Sequence, residues 1–192
     1  MTTKSKRLTV LSEAEHEALY GLPDFDDSQQ LDFLALSEAE LALATSRPGI
    51  PAQVYSILQI GYFKAKQSFF RFGWLDVEDD AAFVLSRYCQ GEAFEHKTIT
   101  DHELYTQRRL IADLFGYRQW SGEFIPQLAK QAAQITLRDV TPGFVATELI
   151  VWLNQHKIVR PAYTTLQDLR YCQLAEPGRR VVEFEVKLLL VG

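Results

Sequence analysis

Apolar residues recur at intervals of three and four along most of the chain, between short polar breaks. This spacing is typical of amphipathic helices. Alternation with β-branched residues, which indicates a strand, occurs only near the end, in VVEFEVKLLLVG from Val181 onward. The pattern therefore predicts an all-α protein of about eight helices with an irregular C-terminal tail.

Three helix starts are marked by a Ser or Thr followed three residues later by Glu. In this capping box the hydroxyl accepts a backbone N–H of the first turn, and the Glu bonds back to the N–H of the cap. The pairs are Ser12/Glu15, Ser37/Glu40 and Thr100/Glu103. LSEAE occurs twice, but the segments after it differ, which favours recurrent capping chemistry over an internal repeat.

Gly, Pro and acidic residues predict the remaining boundaries. Further helices are expected over 53–72, from Asp79 to Gly91, from Pro126, over 142–156 and from Thr164 or Thr165. A softer break, GEAFEHK, separates two predicted helical subdomains. We place these at 8–91 and 98–175, with 176–192 as a divergent tail.

The segment YSILQIGYFKAKQSFFRF, residues 55–72, combines six aromatic and three basic side chains. On a continuous helix, Leu58, Tyr62, Ala65, Phe69 and Phe72 would share a core-facing stripe. Lys64, Gln67 and Arg71 would line the opposite side. The pattern alone favours a central core helix and indicates contact with phosphates or bases only weakly.

A second candidate lies at 142–169. The helix expected there is followed by KIVRP and then by a short helix, with Lys157 and Arg160 at the junction. Two helices joined by a short basic turn fit a helix-turn-helix-like unit. An ordinary helical hairpin is the commoner outcome of such a pattern.

The net charge and its distribution along the chain limit where a polyanion-binding face can lie. The formal net charge is −5, which argues against a uniformly basic DNA-coating protein. Residues 1–60 hold nine acids and four bases, whereas 61–140 are nearly balanced. A polyanion-binding face is therefore expected after residue 60 or in the short basic start, Lys4 to Arg7.

The sequence offers no recognisable catalytic or metal chemistry. It has no phosphate-binding Gly-rich loop and no nucleophile elbow, and its four histidines are scattered. The acidic cluster from Asp76 to Asp80 precedes an apolar helix and is better explained by helix capping. The two cysteines, Cys89 and Cys172, are expected to be small apolar residues in a reducing compartment. We expect no cofactor, no metal, no membrane segment and no enzymatic activity, and a cytoplasmic location.

Five segments in order carry a resemblance to a known family: LSEAEHEALYGLP, VYSILQIGYFKAKQSFFRF, DDAAFVLSRYC, QRRLIADLFGYRQW and ELIVWLNQHKIVRPAYTTLQDL. Together, over residues 8 to 172, they resemble the N-terminal region of transposases of the Tn-3 family, which move by replicative, cointegrate-forming transposition. In that family this region is a set of helical DNA-binding modules that recognise the terminal inverted repeats of the transposon.

The resemblance implies a DNA-end-binding piece of a bacterial, nucleoid-associated transposase. The Asp-Asp-Glu catalytic set of the family, which uses magnesium on a ribonuclease-H-like fold, lies beyond the matched region. The tail at 176–192 departs from the family pattern, so a truncated remnant is expected.

Candidate contacts follow from position and chemistry within this resemblance. Side chains expected at phosphates are Lys64, Lys66, Arg71, Arg108, Arg109, Arg118, Lys157 and Arg160. Those expected at bases or grooves are Gln67, Thr164, Thr165 and Gln167. The alternative is a helical protein-interaction or dimerisation module without DNA specificity, which uses the acidic first helices for self-association or for binding a parent transposase.

Overall fold

The structure, a computed structural model, describes residues 11–90 and 92–168, with the side chains of Gln167 and Asp168 outside the described part. Within these ranges it is all helical and contains no strand, which confirms the predicted fold class. The helices are α1 (Glu13–Tyr20), α2 (Asp27–Phe33), α3 (Glu38–Thr45), α4 (Ile50–Lys66), α5 (Glu78–Tyr88), α6 (Asp101–Leu114), α7 (Ile125–Thr136), α8 (Pro142–Gln155) and α9 (Tyr163–Asp168). The predicted tail at 176–192 and Cys172 lie outside the described residues.

The three predicted capping boxes are present at the starts of α1, α3 and α6. Ser37 Oγ accepts the backbone N–H of Glu40, and Glu40 Oε2 accepts the N–H of Ser37 at 2.8 Å. The same reciprocal bonds join Ser12 to Glu15 and Thr100 to Glu103. Local hydrogen-bonding chemistry is therefore sufficient to position these starts.

Helix α2 was not predicted. Its start is a capping box of a different composition: Asp26 Oδ1 accepts from the N–H of Gln29, and Gln29 Oε1 accepts from the N–H of Asp26. The helix is short and mostly polar, so its periodic signal is weak. Its one buried residue, Gln30, bonds to a distant partner that a local pattern does not reveal.

The prediction that the aromatic helix continues to Phe72 was wrong. Helix α4 ends at Lys66, because Gln67 adopts a left-handed conformation with φ of 48° and its N–H bonds to the carbonyl of Phe63. The chain then turns back, and the Gln59 side-chain amide bonds to both the carbonyl and the N–H of Phe70. Residues 67–72 are thus an irregular segment that packs beside α4.

The chain divides into two compact units. One, here called the core unit, comprises the described residues of 19–119 together with 157–159. The other, the terminal unit, comprises the described residues of 1–18, 120–156 and 160–192. This division differs from the predicted subdomains 8–91 and 98–175, because α6 packs against α3 and α4 in the core unit.

Helix α4 is the centre of the core unit and is buried from Val54 to Phe63. Gly61 allows α2 to approach closely, since a Cβ at this position would overlap Leu34 Cδ2 and lie 3.3 Å from the carbonyl oxygen of Phe33. Cys89 is buried at the end of α5 and belongs to the same apolar core, as expected from sequence. This close approach of helices is typical of a packed apolar core.

One buried polar cluster crosses this core. The Asp80 carboxylate accepts the Tyr62 hydroxyl at 2.8 Å and the Gln30 side-chain amide at 2.9 Å. Burial raises the pKa of the Tyr62 hydroxyl, so it stays protonated and donates. Sequence reasoning assigned Asp80 to helix capping, but its side chain instead joins α2, α4 and α5.

In the terminal unit, α7 and α8 pack against each other and are joined by a short connection. At the N-terminal end, Leu11 N–H donates to the Tyr163 hydroxyl at 3.0 Å, and the Tyr163 ring meets His16 edge-on. No helix in the described part of the chain is both long and apolar enough to span a bilayer.

Candidate nucleic-acid interface

Four aromatic rings from three chain segments gather at the end of α4 in the core unit. Phe63 is buried and stacks on Phe69 and Phe115, with ring centroids 4.9 and 5.4 Å apart. Tyr117 meets Phe63 edge-on at 5.1 Å. Packed rings of this kind form a rigid, flat support for side chains that lie on them.

Two cations lie on the outer rings of this cluster. The Arg108 guanidinium is 5.8 Å from the centre of the Phe69 ring, and Lys157 Nζ is 4.7 Å from the centre of the Tyr117 ring. Both distances are in the range of cation–π attraction. The rings of this one cluster therefore hold two positive charges at defined positions.

Arg108 is the more deeply placed of the two cations. One of its terminal nitrogens donates to the carbonyl oxygen of Phe70 at 3.4 Å. Burial lowers the pKa of Arg108 below its usual value, but a guanidinium remains protonated at neutral pH. Its positive charge is thus retained in a half-buried setting, where water screens it less.

Backbone bonds fix the position of Lys157. The N–H of Arg118 donates to the carbonyl of Lys157 at 2.7 Å, and the N–H of Val159 donates to the carbonyl of Arg118 at 2.9 Å. Lys157 itself has a left-handed φ of 52°, which is uncommon for a residue with a Cβ. This bridge pairs Arg118 with Ile158 and so fixes the backbone on both sides of Ile158, including Lys157.

We call this surface the basic aromatic face; it consists of Phe63, Phe69, Arg108, Phe115, Tyr117, Arg118 and Lys157. Two more predicted phosphate contacts are close in sequence to members of this face, and we call them its flanks. Arg109, adjacent to Arg108 on α6, is exposed, and Lys66, in the last turn of α4 after Phe63, is half-buried. Five of the eight predicted phosphate contacts therefore belong to this face or to its flanks.

Two further cations predicted for this region, Lys64 and Arg71, each lie within 4 Å of a carboxylate. Lys64 Nζ donates to the carbonyl of Ala35 at 2.9 Å and lies 3.7 Å from the Glu40 carboxylate. Arg71 forms an exposed ion pair with Asp101 at 2.8 Å. Neither pairing was predictable from local sequence, because the partners are distant along the chain.

The prediction that Lys64, Gln67 and Arg71 line one helical strip was wrong, because α4 ends before two of them. The Gln67 side-chain amide donates to the carbonyl of Lys64 at 2.8 Å. This bond satisfies one of the last carbonyls of the helix, which is a capping role. Contact of these three residues with DNA stays a prediction.

The remaining candidates belong to the terminal unit. Arg160 is buried, Thr164 is exposed, and Thr165 is half-buried with its N–H bonded to the carbonyl of Ala162 at 2.9 Å. The side chain of Gln167 lies outside the described part. Helix α9 starts at Tyr163, so Thr164 and Thr165 lie in its first turn and do not precede it as N-caps.

The order of α8, a turn and α9 is the one expected for the helix-turn-helix-like unit, and its docking on DNA stays a prediction. Among the described residues no group of three or more His, Cys, Asp or Glu side chains could hold a metal ion.

Comparison with known families gives one match. The model of a family described as a domain of unknown function (DUF4158) matches residues 10–171. The chain belongs to the DUF4158 family. No curated protein matches the chain.

Sequence reasoning on this DUF4158 chain missed the aromatic supports of its cations. Phe115 and Tyr117 follow α6 in an irregular segment, and Phe69 was assigned to a helix that ends before it. A usable signal existed in FGYR at 115–118, where aromatic and basic residues alternate after a helix. Its partner, Lys157, is about forty residues away, so only the fold brings the two together.

Proposed function

We propose that this chain is the DNA-binding N-terminal part of a Tn-3 family transposase, which recognises the terminal inverted repeats of its transposon. Domains of the DUF4158 family are commonly found at the N-termini of transposases. The family match at 10–171 also covers nearly the same residues as the resemblance at 8–172. On this proposal the chain binds DNA and has no catalytic role of its own, and it works in the bacterial nucleoid.

The observation that carries the proposal is the basic aromatic face. Affinity for DNA comes mainly from Lys and Arg side chains that displace counterions from phosphates. Arg108 and Lys157 come from separate parts of the chain and are seated on rings of the same cluster, and backbone bonds link Arg118 to residues 157–159. Pre-positioned cations lose less side-chain entropy on binding than freely moving ones.

Sequence recognition is assigned to a different set of side chains. Thr164 and Thr165, on α9 of the terminal unit, carry hydroxyl groups that suit base edges or phosphates. We therefore assign phosphate contact chiefly to the core unit and base reading to α9. This division predicts that mutations have separable effects. Substitution of cations in the face should lower the affinity for every duplex, whereas substitution of Thr164 or Thr165 should reduce only the preference for the repeat.

The test uses fluorescence anisotropy with two labelled duplexes of equal length and composition. One carries the inverted repeat that flanks the gene, and the other a scrambled repeat. We expect tighter binding to the repeat at moderate salt and a linear fall of log K with log salt concentration. Equal binding to both duplexes would remove the specific claim, and absence of binding at low salt would remove DNA altogether.

A protein-interaction module is the second candidate, and specific ion pairs favour it. Lys64, Arg71 and Arg138 are each paired with a carboxylate, at 3.7, 2.8 and 3.4 Å. Pairing reduces the positive charge available to phosphates. If light scattering showed a stable dimer of the chain and anisotropy showed no DNA binding, self-association would replace DNA recognition as the function.

A further inference from the structure

A cavity of about 440 Å³ opens in the core unit, next to the basic aromatic face. Its walls include the rings of Tyr55, Phe72 and Trp74 and the buried side chain of Leu104. Arg108, a member of the face, also lies close to the cavity. Its guanidinium donates to the carbonyl of Phe70 and interacts electrostatically with Arg71 and Asp101, which line the cavity. The volume is within the usual range for small-ligand sites.

The aromatic wall is held in place by several independent contacts. Tyr55 and Phe72 stack with centroids 4.3 Å apart and planes 18° apart, and Trp74 stands against Tyr55 at 86°. Trp74 Nε1 donates to the carbonyl of Lys97 at 3.1 Å, and its ring meets Phe94 edge-on at 5.0 Å. A rigid apolar wall of this kind suits a flat ligand with two apolar faces.

The solvent side of the cavity carries a donor and an acceptor side by side. Arg71 and Asp101 form their 2.8 Å ion pair there, with side chains 69% and 82% exposed. Such exposed pairs are weak and exchange partners readily. A guanidinium and a carboxylate together complement the edge of a ligand that has both acceptors and N–H donors.

We propose that this cavity accepts the nucleobase of an unpaired nucleotide, with its face against the Trp74 and Phe72 wall and its polar edge towards Arg71 and Asp101. Nucleobases are flat, have apolar faces and carry mixed donors and acceptors on one edge, and proteins bind unpaired bases by stacking them on aromatic rings. A base inside a duplex is inaccessible to such a cavity unless it leaves the stack. The position beside Arg108 places a phosphate-binding cation next to the base site. The source of the base as DNA rests on the proposed function.

The test compares two labelled duplexes that are identical except for one unpaired nucleotide. We expect the wild-type chain to bind the duplex with the unpaired nucleotide about tenfold more tightly, because one stacked base adds that much affinity. Thr98→Trp should abolish this gain, because Thr98 is an exposed lining residue and the indole would fill the cavity. Thr98→Ser should keep the gain.

The matched control is Thr45→Trp, which makes the same chemical change at an exposed position on α3 that does not line the cavity. It should keep the gain in full, and circular dichroism should show that both Trp variants are folded. Equal wild-type affinity for the two duplexes, or a gain that survives Thr98→Trp, would overturn the base site. Duplex binding without that gain would leave the proposed function intact, whereas failure to bind any DNA would overturn the proposed function.

Competition with deoxynucleoside monophosphates separates the two sources of a base. If the monophosphates displace the duplex with the unpaired nucleotide only weakly, and Thr98→Trp abolishes this displacement, the result supports the base site and DNA as the source of the base. If the monophosphates bind the wild type as tightly as that duplex does, but do not bind the Thr98→Trp variant, the site takes free nucleotides. Monophosphate binding that is unchanged in Thr98→Trp would place the bases elsewhere and overturn the proposal.

Discussion

Asp80 shows how one side chain links burial to pH. Burial raises the pKa of its carboxyl group above the ordinary value, and the hydrogen bonds from Tyr62 and Gln30 offset this only in part. The protonated form is thus favoured by folding. Its contribution to stability is complete below the unfolded-state pKa of about 4 and is lost as the pH rises through the higher folded-state pKa.

Asp80→Asn should remove this loss, because an amide does not ionise. The free energy of unfolding of the variant, relative to wild type, should rise as the pH increases from about 4 towards 7. Urea unfolding at a series of pH values measures the difference. Asp79→Asn, at the exposed neighbouring position, is the control, and parallel pH profiles of wild type and Asp80→Asn would contradict the assignment.

Lys157 has a left-handed backbone conformation and carries a charge on the basic aromatic face. Substitution by glycine therefore tests its effect on stability and its effect on DNA affinity separately. Lys157→Gly should leave the free energy of unfolding within about 1 kcal/mol of wild type, because relief at φ of 52° offsets the entropy cost of glycine. Affinity for DNA should fall, and the salt slope should decrease by about 1.

Anisotropy titrations at several salt concentrations, together with thermal unfolding, check both parts. Lys130→Ala, at an exposed position on α7 of the terminal unit, should change neither property. Unchanged DNA binding by Lys157→Gly would remove Lys157 from the interface.

At the scale of elements, the approach of α2 to α4 depends on Gly61. Gly61→Ala should lower the free energy of unfolding by about 1–3 kcal/mol, because the new methyl group would meet the buried Leu34 side chain and the carbonyl of Phe33. Gly122→Ala is the matched control: the nearest atom to its Cβ would be Ile125 Cδ1 at 3.9 Å, an ordinary contact. Chemical denaturation of both variants measures the difference, and equal stabilities would show that α2 yields easily.

The link between α3 and α4 through Lys64 gives a test of whether this cation is structural. Lys64→Met keeps the aliphatic stem and removes the bonds to Ala35 and Glu40. The expected loss is about 1–2 kcal/mol in the free energy of unfolding, with DNA affinity unchanged. A marked loss of affinity in a folded variant would support the predicted contact of Lys64 with DNA.

Helix starts were predictable from sequence to the extent that their chemistry is local. Ser37 and Thr100 cap their own helices through residues three positions away, so the sequence contains the whole interaction. The end of α4 was not predictable in this way. Gln67 is not a residue that usually ends a helix in the left-handed conformation, and the bonds that hold the returning chain come from Gln59.

The candidate site was predictable in composition but not in arrangement. Sequence indicated the cations on the basic aromatic face, including Arg108 and Lys157, but gave no reason to separate them from Lys64 or Arg71. Whether a cation pairs with a carboxylate, as Arg71 does with Asp101, or lies on a ring, as Lys157 does on Tyr117, depends on tertiary packing. The base-binding cavity had no local signal, because its walls come from α4, the segment after it and α6.

For the whole molecule, a net charge of −5 means that DNA binding must rely on one local face. Five cations, Lys66, Arg108, Arg109, Arg118 and Lys157, belong to this face or its flanks. If each neutralises one phosphate, the slope of log K against log salt concentration should be about −4 to −5. The full set of eight cations predicted from sequence would give about −7. Anisotropy titrations over a range of salt concentrations distinguish the two values.

Because Cys89 is buried, the rate at which its thiol is labelled reports how often the core unit opens. Its sulfur lies in the apolar core at the end of α5, and burial raises its pKa, so a thiol-specific reagent reacts only when that region opens. In a Cys172→Ser background, the labelling rate would report this opening with no foreign probe. A ligand that binds only the closed form would then slow labelling in proportion to its occupancy, whatever its identity.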